Sequence, residues 1–308
     1  MPDEGLTLAA RRVLVTGGSG FLGTHIVKHL VALGHRVVVL ARSTSALNHL
    51  SHLSLKVLMG DVIDLRTMTA AVQEVDVVVY AAGVTSVSAG RGSARSFAVN
   101  VVGVKNVLDA SEILGVHPRL VVIGTQSDNP GAYATTKREG ELLALGSGQD
   151  VSVVRPSFVY GPDWRSVFGR LVSLVKKLPV IPIIGPGNTE LAPIYVDDVA
   201  AGVARCLEHD APREVHLSGP DHITYKQFLI LVARALGRRP LIVPLPFGLV
   251  APAVRVANKL WRRAPVSEDT ILGLMQDRPY APGEGARQIG LPLTSLEEGI
   301  QRTLQELH

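Results

Sequence analysis

Cysteine is all but missing from this chain of 308 residues: Cys206 stands alone, so a disulfide scaffold is excluded. A long apolar run is missing too. The most apolar stretch, 241–254, is cut by Pro244, Pro246 and Pro252 and is shorter than the roughly 20 residues that a membrane-spanning helix needs. Residues 1–12 carry no apolar core of the secretory-signal kind, and Arg11-Arg12 leads directly into Val13-Leu14-Val15. These absences predict a cytoplasmic location. Charge is sparse, at 19% of residues with a formal net of +4, against 46% hydrophobic residues. Such a chain can offset its ordering entropy by burial, which excludes intrinsic disorder. No G-x-S-x-G nucleophile elbow occurs. His49 and His52 have no acidic or cysteine neighbours, and His25 and His29 share a helix that must pack on a sheet, so no metal site is expected.

What the chain does have is alternation. Apolar runs at 12–16, 36–41, 56–60, 75–81, 119–124 and 151–156 are separated by helical patterns such as 21–33 and 101–114. Short Val/Ile/Leu-rich runs suit strands covered on both faces, and their alternation with helices predicts an α/β fold with a doubly wound parallel sheet. Gly34 is a natural stop for the first helix. After Pro156 the texture changes, as Pro162, Pro179, Pro182, Pro186 and Pro193 break the pattern. A helix resumes at 199–208 and one more strand at 214–218, so the halves interleave. The expected division is 1–160 plus 194–218 as a nucleotide-binding domain, and 161–193 plus 219–308 as a smaller C-terminal substrate lobe.

The first strand runs into Gly17-Gly18-Ser19-Gly20-Phe21-Leu22-Gly23 and then directly into an apolar helix. Small residues let the backbone approach a pyrophosphate, and the helix N-terminus offers free N–H groups and a positive dipole end. Strand before, helix after and a second strand at the right distance make this a Rossmann-type dinucleotide loop rather than a bare turn. An acid at the end of the second strand would accept a hydrogen bond from the NAD 2′-hydroxyl. Here Arg42 and Ser43 stand instead, suited to a 2′-phosphate, which favours NADP(H) over NAD(H); otherwise Arg42 stacks on the adenine or faces solvent. Asp61 and Val62 suit the adenine edge, and Ala81-Ala82-Gly83 are small where the cofactor passes.

Tyr133 and Lys137 begin a further helix and lie one turn apart on one face. A phenol with a pKa near ~10 serves as a base at neutral pH only if a cation stabilises its phenolate. Lys137 supplies that cation and can hold ribose hydroxyls, while Tyr133 moves the proton. Thr125 is the first choice for a hydroxyl that polarises the substrate oxygen, with Ser127 second. Asn100, opening the helix that follows, either supports this site or is an ordinary N-cap.

Together these residues resemble the extended and atypical branches of the short-chain dehydrogenase/reductase superfamily. Besides TGGSGFLG and YATTK, the resemblance includes NVVGVKN from Asn100, RPSFVYGP from Arg155 and PIYVDDVA from Pro193, and covers most of the chain. It implies that Pro156, Phe158 and Val159 line the nicotinamide end. Asp197 and Asp198 read as an acidic helix start more than as catalytic groups. The C-terminal part, with HLSGP from His216, TYK from Thr224 and ALGRRP from Ala235, resembles the subgroup that includes the Rossmann-type accessory subunit of respiratory complex I. Two departures matter. The loop from Thr125 to Tyr133 is short, and Thr189-Glu190-Leu191-Ala192-Pro193 lacks the basic residue of sugar-nucleotide epimerases, which disfavours a nucleotide-sugar substrate.

From Arg234 to Arg263 there are seven basic residues and no acid. Within it, 249–263 reads as an amphipathic helix with a basic edge, either packing over the substrate cleft or, less favoured, lying on an anionic membrane surface. Nucleic acid is not expected as a partner, since Trp261 is the segment's only aromatic beyond Phe247. The functional expectation is an NADP(H)-dependent oxidoreductase acting on a small, uncharged or lipid-like carbonyl or secondary alcohol. Alternatives are an epimerase or dehydratase working through a transient ketone, and a catalytically silent NADPH-binding accessory subunit. Oligomeric state is left open.

Overall fold

The computed structural model describes residues 10–84, 92–128, 130–164, 166–246 and 281–307. Its strands are β1 (Arg12–Thr16), β2 (Arg36–Ala41), β3 (Lys56–Met59), β4 (Val77–Tyr80), β5 (Arg119–Ile123), β6 (Val151–Pro156), β7 (Val159–Tyr160), β8 (Val180–Ile184), β9 (Glu190–Leu191), β10 (Ile194–Tyr195), β11 (Glu214–Leu217), β12 (Ile223–Thr224) and β13 (Leu241–Leu245). The helices are α1 (Phe21–Ala32), α2 (Leu65–Val72), α3 (Gly92–Phe97), α4 (Gly103–Leu114), α5 (Ala132–Leu145), α6 (Val167–Lys177), α7 (Val196–Arg205) and α8 (Tyr225–Ala235), followed by Glu284–Gln288 and Leu296–Glu306.

Seven strands form one sheet in the order β11-β6-β5-β4-β1-β2-β3, every pairing parallel. This is the Rossmann-type doubly wound α/β arrangement that the alternation predicts. Alternate residues of β1 serve opposite cores, as a pleated strand requires. Val13 and Val15 join Ile26, Leu30, Val199 and Val203 under α1 and α7. Leu14 joins Met68, Val78, Val104 and Val107 under α2 and α4. Burial on both faces holds for the central strands and fails at β3, where Lys56, Val57 and Met59 are exposed, because an edge strand has a neighbour on one side only.

A third core lies beyond the sheet. Tyr160, Phe168, Val172, Phe228, Val232, Ile300 and Leu304 pack together, with Phe158 edge-on to Phe228 at 5.6 Å. Three two-stranded pairings, β7–β10, β9–β12 and β8–β13, frame this part. Ala286 and Leu291 pack instead with the α1 and α7 side of the main sheet.

One local expectation needs correction. Asn100 neither opens nor caps a helix: α3 already starts at Gly92, and Asn100 sits inside a π-helical turn, Ala98–Val102, that joins α3 to α4. Asp197 and Asp198 do form an acidic start, in the first turn of α7, with the cap position itself taken by Tyr195. Asp197 binds His25 at 2.6 Å and Asp198 accepts from the Thr294 main chain and hydroxyl, both at 2.8 Å. The basic amphipathic segment 249–263 lies outside the described residues. Among the described residues no helix is long and apolar enough to cross a membrane.

Candidate active site

The chain leaves β1 through Gly17, whose φ of +71° lies in the left-handed region that favours glycine. A Cβ here would stand 2.7 Å from the Ala82 nitrogen and 2.8 Å from the Ala81 carbonyl. The turn therefore rests on the end of β4, where the Ala82 N–H donates to Thr16 Oγ1 at 3.2 Å. Gly23 is equally constrained, since its Cβ would fall 2.1 Å from the Gly17 oxygen. That oxygen accepts the Gly20 N–H at 2.9 Å. Ser19 completes the turn; Phe21 and Leu22 open α1, which has no side-chain cap and no acid in its first turn. Its first N–H groups thus remain for an anion, at the crevice where the strand order reverses between β1 and β4. A pyrophosphate fits this cradle by chemistry and by the space that missing Cβ atoms leave.

The remaining expected nucleotide contacts stand at the same ends of neighbouring strands. Arg42 and Ser43 follow β2 and are exposed. Asp61 is half-buried after β3. Val62 is buried, and its carbonyl accepts Asn106 Nδ2 at 2.8 Å, which ties this loop to α4. After β4, Ala81 is half-buried, Ala82 buried and Gly83 exposed. Pro156, Phe158 and Val159 are half-buried beyond β6, and Val159 pairs with Ile194.

Tyr133 and Lys137 occupy the first two turns of α5, as their spacing predicts. Tyr133 is half-buried, whereas Lys137 is only 6% exposed. The Lys137 ammonium donates to Ile123 O at 2.8 Å and to Ala82 O at 3.4 Å, bridging the ends of β5 and β4. Burial pushes its pKa down to about 8, and the Glu141 carboxylate works against that fall. Gly83 leaves room for it, since a Cβ there would be 3.0 Å from Nζ.

Thr125 and Ser127 are both buried, and the Thr125 hydroxyl accepts the Ser127 N–H at 3.1 Å in a tight turn. Asn100 is buried beside α5. Its Nδ2 donates to Thr136 Oγ1 at 3.0 Å and its Oδ1 accepts the Val84 N–H at 3.4 Å. The π turn around it is held from outside: Tyr80 donates its hydroxyl to Val99 O at 2.5 Å, and a Cβ on Gly140 would strike Asn100 O at 2.1 Å. Asn100 thus meets the helix of Tyr133 and Lys137 through Thr136.

Two residues absent from the sequence expectations complete the cluster. Glu141, 1% exposed at its side chain, accepts the Thr125 N–H at 2.8 Å and Arg155 Nε at 2.6 Å. Arg155 also reaches Glu214 and His216, and its carbonyl accepts Gln126 Nε2 at 2.8 Å. Burial opposes the Arg155 charge, but the two carboxylates raise its pKa above the ordinary range. The signal for Glu141 was its place four residues after Lys137. Among the described residues no group of three or more His, Cys, Asp or Glu is arranged to hold a metal.

Residues 13–218 match the NAD dependent epimerase/dehydratase family. The chain is 28% identical to a 3 beta-hydroxysteroid dehydrogenase/Delta 5→4-isomerase of Mycobacterium tuberculosis, over 99% of this chain and 92% of that protein. It is 27% identical to the mitochondrial NADH dehydrogenase [ubiquinone] 1 alpha subcomplex subunit 9 of Arabidopsis thaliana, over 80% of this chain and 64% of that one. Among solved structures, UDP-glucose 4-epimerase of Thermotoga maritima superposes with a TM-score of 0.74 at 21% identity, covering 96% of this chain and 98% of the other.

Proposed function

The chain belongs to the NAD-dependent epimerase/dehydratase family, an enzyme family of the short-chain dehydrogenase/reductase type, and from that premise we propose that it is an NADP(H)-dependent oxidoreductase. Its substrate is a carbonyl or secondary alcohol on a small, uncharged or lipid-like molecule, and Tyr133 and Lys137 are its acid/base pair. The observation that carries this reading is Lys137, a buried ammonium one turn after a tyrosine and anchored to the ends of β4 and β5 beside the glycine turn.

Gly17, Ser19, Gly20, Phe21, Leu22 and Gly23 would hold the pyrophosphate, Arg42 and Ser43 the 2′-phosphate, and Asp61 and Val62 the adenine. Ala81, Ala82 and Gly83 leave room for the ribose, which Lys137 binds, and Pro156, Phe158 and Val159 flank the nicotinamide. When bound, the nicotinamide supplies or accepts the hydride. Tyr133 gives its phenolic proton to the substrate oxygen in reduction and takes it back in oxidation. Lys137, with a pKa of about 8, is mostly protonated at neutral pH, and its charge favours the phenolate. Thr125 donates to the same substrate oxygen, with Ser127 as the alternative. Asn100 acts at the site's edge by tying α5 to the loop after β4.

Support for an uncharged substrate comes from the 189–193 stretch, whose sequence Thr-Glu-Leu-Ala-Pro offers no Lys or Arg to a nucleotide phosphate. The similarity to a hydroxysteroid dehydrogenase points the same way. The cofactor unit comprises 1–160 and 194–218 and the lobe 161–193 and 219–308, a division supported by the β11–β6 pairing and qualified by Ala286 and Leu291 on the sheet side. Likeness to a complex I subunit favours a second reading, an NADPH-binding accessory role without turnover.

The test is Tyr133→Phe. Fluorescence titration should give NADPH affinity close to the parent's, while turnover on a panel of ketosteroids and other apolar carbonyl compounds disappears. A phenylalanine variant that still turns over refutes the acid/base assignment. NADPH binding without turnover of any panel member by the parent protein supports the accessory reading instead.

A further inference from the structure

The acid/base chemistry leaves one buried charge of the site unused. We propose that Glu141 is a positioning residue for the Tyr133–Lys137 pair: its carboxylate clamps the Thr125–Ser127 turn to α5 and stands as a fixed counter-charge one helical turn from Lys137. The inference rests on the acid/base reading of that pair.

A carboxylate buried to 1% is costly unless paired and fully hydrogen-bonded, and an apolar side chain would fill the same space at less cost if stability were the only demand. Its surroundings are built for it. A Cβ on Gly124 would stand 2.4 Å from Glu141 Oε1, so only glycine lets the carboxylate reach the Thr125 N–H. Arg155 takes the other oxygen. The turn is gripped on both sides, because Gln126 donates to the Arg155 carbonyl and Ser218 Oγ while Thr125 is held by Glu141. Movement of this turn would shift the Thr125 hydroxyl relative to Tyr133.

The charge has its own role. Burial drives Lys137 towards its neutral form, and Glu141 opposes that drive. From the loop after β4 and from β5, Lys137 meets the uncharged carbonyls of Ala82 and Ile123. The π turn contributes the neutral amide of Asn100, bound to Thr136, and β6 contributes Arg155, a cation bound to Glu141 and Glu214. Tyr133 is the other titratable group on the same face of α5.

The experiment uses the full chain without nucleotide, its lysines labelled with 13C at Cε and the Lys137 resonance assigned with Lys137→Arg. Glu141→Gln removes the charge but keeps an acceptor for Thr125, and the Lys137 titration midpoint should fall by on the order of one pH unit. Glu141→Asp keeps the charge but falls one carbon short, so the midpoint should stay near the parent's while the Thr125 amide exchanges faster with solvent. An unmoved midpoint in Glu141→Gln overturns the counter-charge, and unchanged Thr125 exchange in Glu141→Asp overturns the clamp. Should Glu141→Gln not fold, Gly124→Ala, whose methyl pushes Oε1 off the Thr125 N–H while the charge stays, must speed Thr125 exchange with the midpoint near the parent's, and unchanged exchange refutes the clamp and the proposal with it. None of these readouts involves turnover, so failure of the acid/base reading shows separately, as retained activity in Tyr133→Phe.

Discussion

Replacing Gly23 by alanine should damage nucleotide binding more than it damages the fold. The new methyl would lie 2.1 Å from the Gly17 oxygen and 2.8 Å from the Gly17 carbonyl carbon, where ordinary contact begins at 3.4 Å. Backbone on both sides leaves no flexible side chain to yield, so the turn itself must move by about 1 Å, at an overpacking cost of about 1–3 kcal/mol. In the free protein the turn relieves this by opening, with loss of the Gly20 N–H to Gly17 O bond. Nucleotide binding needs the closed turn and must restore the strain. At 1.4 kcal/mol per factor of ten, affinity should fall roughly ten- to hundred-fold. Fluorescence titration with NADPH measures it. Gly34→Ala is the control. Gly34 has φ +83° with nothing within 4 Å of its Cβ position, so alanine there costs about 1 kcal/mol of backbone strain and leaves the nucleotide site alone. Parent-like NADPH affinity in Gly23→Ala, or an equal loss in Gly34→Ala, would refute the assignment of this turn to the pyrophosphate.

Arg42→Ala should weaken NADPH roughly tenfold, the worth of a charge-assisted hydrogen bond, and leave NADH unaffected; equal losses for the two nucleotides in calorimetry remove the 2′-phosphate role. Arg119, 1% exposed, donates to Cys206 O, Ser152 Oγ and Asp150. Arg119→Met should destabilise by about 3 kcal/mol and lower Tm by on the order of 6 °C, with NADPH affinity unchanged. Acid should destabilise the protein through its histidines. Burial holds the pKa of His29, His35 and His216 below 6.5 in the folded state. The unfolded chain therefore takes up protons first, so stability is full above pH 6.5 and declines as pH falls through the window beneath it. A Tm that stays flat on acidification through that window contradicts the burial of these rings.

The main sheet was legible because its signals are local. Val13–Val15 and Val37–Val39 are runs that only a doubly covered strand buries, and the glycine turn carries strand and helix on either side. Of the candidate site, what was legible is what spacing alone decides, the placement of Tyr133 and Lys137 one turn apart on one helix. It was not legible where distant residues decide. Nothing within 98–102 announces a π turn; its register depends on Tyr80 binding Val99 O from β4 and on Gly140 admitting Asn100 O from α5. Glu141 was hidden for another reason. A glutamate on a helix is ordinarily solvated, and only Arg155 on β6 and the missing Cβ of Gly124 just after β5 make it a buried group.

Buried charge lies at both ends of β5 and β6, and the contrast between the two ends separates stability from function. At the N-terminal end Arg119 answers Asp150, Ser152 and the Cys206 carbonyl, far along the strands from any glycine turn or candidate catalytic group. At the C-terminal end Glu141 and Arg155 tie the Thr125 turn, α5 and β11 into one network beside Lys137. Both ends pay a desolvation cost, so both must return something. The Arg119 network joins β5 to the ends of α7 and the strand entering β6, where packing is its only task, and its loss should register in Tm alone. On the proposed function, the Glu141 network stands where Thr125, Lys137 and Tyr133 must keep their relative positions. Its loss should register in the Lys137 titration and in Thr125 exchange. A Tm loss without change in those readouts for the Arg119 variant, against a changed Lys137 midpoint or Thr125 exchange for the Glu141 variants, is what the arrangement requires.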